Sequence, residues 1–165
     1  MLAEAIAPFA RRRSLQNTYA CGGGTVSILA NGAETGGAFS LIESVQIPGS
    51  EPPLHVHERE DELFYILKGE VSVIVGDTVH KLAAGQTLFL PRGVPHTFRI
   101  KSPVAQALNF ITPAGFEKWF QAIGTPAKSF DLPELAGPPS ETTVERMHEL
   151  SKQLGVRIIG GPVEI

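Results

Sequence analysis

From Thr25 to Thr112 the chain repeats one pattern, a short run rich in β-branched and aromatic residues followed by a turn. The runs read TVSILA, AFSLIESVQI, LHVH, ELFYIL, EVSVIV, VHKL, QTLFL, HTFRI and AQALNFI. Between them lie NGAETGG, PGSEPP, KGE, GDT, AAG, PRGVP and KSP, rich in the glycine, proline and asparagine that turns require. Strands at this spacing, with no helical period between them, predict an all-β sandwich or barrel. After Thr112 the period changes. In TPAGFEKWFQAIG, Phe116, Trp119, Phe120 and Ile123 fall at helical spacing on one face, with Thr112 and Pro113 as expected N-cap and first residue. A second helix is expected over Thr142–Leu154, with Thr142 and Glu145 at capping-box spacing and Gly155 as its stop. A final VRII is expected as a short strand. The division that follows is an N-terminal arm (1–23), a β-domain (24–112) and a C-terminal helical extension (113–165) that lids the β-core or supports a dimer.

Composition narrows the class. With 165 residues, 42% hydrophobic and 19% charged, the chain has the size and make-up of one globular domain. A net charge of −3 gives no basic footprint for nucleic acid. The glycines of CGGG at 21–24 lack the Gly-Lys-Ser/Thr of a phosphate loop. Cys21 is the single cysteine, so no internal disulfide forms, and a small buried hydrophobe is the plainer role for it. MLAEAIAPFARRR places its charges after a short, interrupted apolar stretch, the reverse of a secretory signal, and no run approaches a membrane span. A cytoplasmic protein with no membrane or nucleic-acid partner is the expectation.

The chemistry concentrates in PPLHVHEREDELFYIL, residues 52–67. Strand side chains alternate, so His55 and His57 share a face with Val56 opposite. Glu62 begins the next strand, and His96 begins another after PRGVP. Taken singly, each imidazole is readable as a hydrogen-bonded core histidine and Glu62 as a salt-bridge partner. Taken together, three nitrogens and one oxygen form a ligand set suited to one divalent transition metal: iron, manganese, nickel, copper, cobalt or zinc. His80 and His148 are expected at the surface.

These residues also carry a resemblance. Gly49, His55, His57, Glu62 and Gly69 match the first motif of the cupin superfamily, and Gly85, Pro91, Gly93 and His96 match the second. Ile100 stands where the second motif ends in asparagine, a position that is not a metal ligand in the family. The resemblance spans about residues 38–112 and implies a jelly-roll barrel with the metal inside. The wording GSEPPLHVHEREDELFYILKGE is similar to small one-domain cupins related to quercetin dioxygenases. That likeness implies a dioxygenase-type oxidoreductase in which Glu62 leaves the metal to act as a base, and it implies a homodimer.

Strand parity adds a proposed pocket. If Glu62 and His96 point inward, so do Phe64, Ile66 and Phe98. On the earlier strand Phe39, Leu41, Val45 and Ile47 form the apolar set, so that face is expected inside. Glu43 shares its parity; it either reaches the cavity as a substrate-orienting or proton-handling group, or it pairs with an arginine such as Arg92 or sits at a bulge. Asn109 is a further lining candidate. A cavity walled by Phe39, Phe64, Ile66 and Phe98 suits a small aromatic or enolic substrate. Two other classes stay open: a redox-neutral metal-dependent isomerase or epimerase, and a non-catalytic small-molecule binder.

Overall fold

A computed structural model describes residues 6–135, 137, 139–161 and 163. The nine predicted runs all form strands, β2 (Gly24–Ala30), β3 (Ser40–Gln46), β4 (His55–His57), β5 (Asp61–Lys68), β6 (Glu70–Val75), β7 (Thr78–Ala83), β8 (Thr87–Leu90), β9 (His96–Ile100) and β10 (Ala105–Thr112). Three short strands complete the set: β1 (Thr18–Cys21), β11 (Thr125–Pro126) and β12 (Val156–Ile158), the last being the expected VRII strand. The strands form two antiparallel sheets, one in the order β11-β1-β2-β3-β10-β5-β8 and the other β12-β4-β9-β6-β7. Consecutive strands cross repeatedly between the sheets, so the chain is a jelly roll. β1 lies within the stretch read as an arm, yet it pairs with β2 and β11 as part of the larger sheet.

The inward faces of the two sheets meet in a core of Phe64, Ile66, Val71, Val73, Leu82, Leu90, Ile100 and Ala105, with Phe98, Leu88, Val75 and Ala107 packed against it. Ile66 is 1% exposed and sits inside this cluster. It therefore belongs to the packed core, as does Phe64. A second cluster of Val26, Ile42 and Ile111 takes up Phe116 and Phe120.

Those two aromatics come from the C-terminal extension. Helix α1 spans Glu117–Ile123 and begins after Phe116, not at Thr112. Thr112 remains the last ladder residue of β10, opposite Asp61, and its Oγ1 donates to the Ala38 carbonyl over 2.9 Å. In place of the expected cap, the buried Glu117 carboxylate accepts from Gly32 N (2.9 Å) and Gly115 N (2.7 Å), which fixes the helix start against the β2–β3 loop. The rings of Phe116, Trp119 and Phe120 pack on one another, and Phe116 and Phe120 cover the Val26, Ile42 and Ile111 cluster.

Helix α2 spans Glu141–Leu154. Its cap is Ser140, whose Oγ accepts from Thr143 N, and the expected Thr142–Glu145 box lies inside the first turns instead. Gly155 ends the helix at φ +77°, as the sequence predicts. The Trp119 indole donates to Ser151 Oγ over 3.1 Å and ties the two helices together. No helix among the described residues is long and apolar enough to cross a membrane.

Truncating Ile66 to Ala should cost about 2–5 kcal/mol of unfolding free energy while leaving metal content unchanged. Urea denaturation with elemental analysis measures both. A loss below about 1 kcal/mol would contradict its place in the core.

Candidate metal centre

Strand register brings the histidines together. His55 on β4 is the pairing partner of His96 on β9, so both rings leave the same face of the five-stranded sheet. His57 lies two residues along β4 and shares that face. Glu62 comes from the opposing sheet, where β5 places it beside Leu90 and Ile111, both 1% exposed. The turn 58–60 carries the chain from one sheet to the other. One nitrogen from each of His55, His57 and His96 lies within 4.8 Å of the other two. Glu62 Oε2 is 3.2 Å from His96 Nε2, and Oε1 is 3.9 Å from His57 Nε2. All four residues are buried.

What each ring does with its other nitrogen decides its chemistry. His55 Nδ1 is 2.9 Å from the Pro53 carbonyl and His96 Nδ1 is 3.1 Å from the Val94 carbonyl. A carbonyl only accepts, so both rings carry their proton on Nδ1. His57 Nδ1 faces Glu60 Oε2 at 3.4 Å. In the neutral rings each Nε2 is thereby left as a lone pair. His57 Nε2 and His96 Nε2 are buried with no hydrogen-bond partner, although the Glu62 carboxylate lies near both. Two orphaned nitrogens on converging imidazoles, next to a carboxylate, fit a metal ion and do not fit a dry polar core, where such atoms would be paired.

The electrostatics differ from ring to ring. Burial and the neighbouring His96 and His57 hold His55 down to about 4, so it is neutral at physiological pH. Burial alone would raise the Glu62 carboxyl, but His57, His96 and His55 outweigh it and hold it down to about 2. Burial works to lower His57 as well, yet Glu62 and Glu60 together raise it. His55 is thus the neutral imidazole that ligation requires, whereas the two carboxylates favour a proton on His57 that a metal ion would displace.

Not every proposed site residue joins this group. Ile42, not Glu43, pairs with Asn109, which pairs in turn with Phe64 of the inward face. Glu43 pairs with Leu108, opposite the 41% exposed Tyr65, and so lies on the outer face of the seven-stranded sheet. Its Oε1 accepts from Gln106 Nε2 over 2.8 Å, while Arg92 pairs with Asp61. Phe39 also faces outward and stacks on Phe110 at 5.0 Å. The apolar alternation of residues 39–47 marks an outer face; the inner face here is Ser40, Ile42 and Ser44. Phe64 and Phe98 remain inside, edge to face at 5.9 Å, and Asn109 accepts from Ser44 Oγ over 3.0 Å. Two residues escaped the sequence reading. Phe116 packs edge-on against the His57 ring at 4.5 Å, and Glu60 is the buried carboxylate at its Nδ1. The helical period flagged Phe116 as apolar, but nothing in the EREDE run separates Glu60 from its charged neighbours.

Comparisons with known proteins bear on the same centre. A cupin domain description matches residues 43–108. The quercetin 2,3-dioxygenase of Bacillus subtilis (strain 168) is 25% identical over 142 residues, covering 86% of this chain and 42% of that protein. The quercetin 2,3-dioxygenase of Aspergillus japonicus is 32% identical over 130 residues, 67% of this chain and 37% of that protein. The chain thus spans less than half the length of these two relatives. Among solved structures, an RmlC-like cupin from Shewanella frigidimarina NCIMB 400 superposes with a TM-score of 0.51 at 23% identity, over 59% of this chain and 82% of that one. With the jelly roll and the histidine triad already in place, these matches show a cupin domain over residues 43–108, in a chain that resembles quercetin dioxygenases.

Proposed function

We propose that this cupin is a metal-dependent oxidoreductase of the dioxygenase type, acting on a small enolic or aromatic substrate at a centre made by His55, His57, His96 and Glu62. The observation that carries the reading is the convergence of three Nε2 lone pairs, two of them buried and unpartnered, on a shared point beside an ionised carboxylate. The likeness to the two quercetin dioxygenases supplies the reaction class.

A divalent transition metal bound there supplies Lewis acidity and a redox partner for an enol or phenol. The protein's own residues do the rest. His55 and His96, locked by backbone carbonyls, fix the direction of approach to the centre. Phe64 and Phe98 offer an aromatic wall on the inward face, and Asn109 offers the adjacent polar group. Glu62 faces His57 and His96, and a turn away from the centre would free its carboxylate to take up a proton from a substrate hydroxyl.

Three outcomes test this reading. Elemental analysis of protein purified without added metal should find about one transition-metal ion per chain, falling by roughly tenfold or more in His57→Ala with the fold retained. Unchanged metal in that variant would remove His57 from the ligand set. Oxygen uptake should accompany turnover of a flavonol or a 1,3-diketone by the loaded protein. Turnover without oxygen uptake would move the assignment to redox-neutral chemistry, and no turnover on either would leave a binding role.

Metal-free protein should also show a defined pH response. His55 has a folded value of about 4 against 6.5 when free, so between those pH values the unfolded chain binds the proton and the folded chain does not. Its contribution to stability therefore rises with pH across that window and levels off above it. In metal-free protein, His55→Ala should remove up to about 3 kcal/mol of that rise, read from urea midpoints along a pH series. Equal slopes in both proteins would contradict a neutral, buried His55.

A further inference from the structure

We infer that Glu60 is a positioning residue for the metal centre: its buried carboxylate accepts the Nδ1 proton of His57 and so aims the Nε2 lone pair of that ring at the shared point. The inference rests on the metal reading above and extends it to a residue outside the four proposed ligands. Glu60 is 4% exposed, and the contact with His57 Nδ1 is made at 3.4 Å by Oε2. Buried carboxylates are stable only with a partner, and an imidazole N–H is the partner found here. The three rings are not held alike. His55 and His96 are oriented by neutral carbonyls two residues before them in the chain, whereas His57 alone is oriented by a charged group. A carboxylate behind an imidazole fixes its tautomer and strengthens it as a ligand.

The turn that carries Glu60 is itself fixed by the C-terminal extension. Glu58 N donates to the Gly155 carbonyl over 2.8 Å, and Arg59 Nη1 donates to the Gln153 carbonyl over 3.0 Å. Arg157 pairs with Glu58 at 2.6 Å. Arg59 lies so close over Gly155 that a Cβ there would come within 2.7 Å of Nε. These contacts leave the 58–60 turn little freedom to carry Glu60 away from His57.

The test reads metal-free and metal-loaded protein separately. Nitrogen-15 spectra of the metal-free protein should show His57 as the Nδ1–H tautomer, and Glu60→Ala should abolish that preference while leaving His55 and His96 unchanged. Cobalt(II) titrated against a competing chelator should bind Glu60→Ala about 10- to 100-fold more weakly than wild type. Glu60→Gln keeps an acceptor oxygen, so it should retain the Nδ1–H tautomer and lie between the two in affinity. If Glu60→Ala does not fold, Glu60→Gln decides, and wild-type affinity there overturns the proposal. Wild-type affinity and tautomer in a folded Glu60→Ala, or an Nε2–H His57 in the wild type, also overturn it. Wild-type protein that binds no cobalt would fail the metal reading instead, and the tautomer measurement would still decide the role of Glu60.

Discussion

Three imidazoles are useful to a metal only if their lone pairs face one another, and in this chain that orientation is set from behind. Each Nδ1 is committed to an oxygen, Pro53 for His55, Glu60 for His57 and Val94 for His96. With the protons placed there, each Nε2 has nothing to donate and turns inward as an acceptor. Two of these nitrogens end buried without a protein partner, an arrangement that costs on the order of 1–3 kcal/mol per group unless a cation takes it up. The centre is therefore a region where stability is given up locally and a bound ion restores it.

The scaffold makes that arrangement affordable by placing it between two apolar clusters. On one side lie Phe64, Leu90 and the rest of the inter-sheet core. On the other lie Val26, Ile42 and Ile111, closed off by Phe116 and Phe120 of the C-terminal extension. The extension thus reaches the site twice: its aromatic residue touches the His57 ring, and β12 pairs along β4 with Val156 opposite His57 and Ile158 opposite His55. β4 is only three residues long, and β9 meets it at His55 alone. The β12 pairing gives this short strand a second neighbour and fixes the spacing of its two rings.

Much of this was legible in the sequence because it depends on period and spacing. Alternating runs separated by glycine and proline fix the nine main strands, and the two histidine motifs fix which residues meet. Ambiguity enters where a local pattern has two structural solutions. An apolar alternation tells which residues share a face but not which face is inside; the 39–47 run solves this with Ser40, Ile42 and Ser44 inward, which moves Glu43 and Phe39 outside. Thr112 has the chemistry of a helix cap, but β10 holds it in a ladder pair with Asp61. Glu60 was invisible for a different reason. Its role depends on burial beneath a turn clamped by residues about a hundred positions away, and no local signal encodes that.

The central claim is that His55, His57 and His96, with Glu62, hold one metal ion. X-ray absorption at the edge of the metal carried by the purified protein tests it most directly. The account predicts three imidazole nitrogens and a carboxylate oxygen in the first shell at about 2.0–2.2 Å. A first shell with fewer than three imidazoles, or one dominated by sulfur or water, would contradict it.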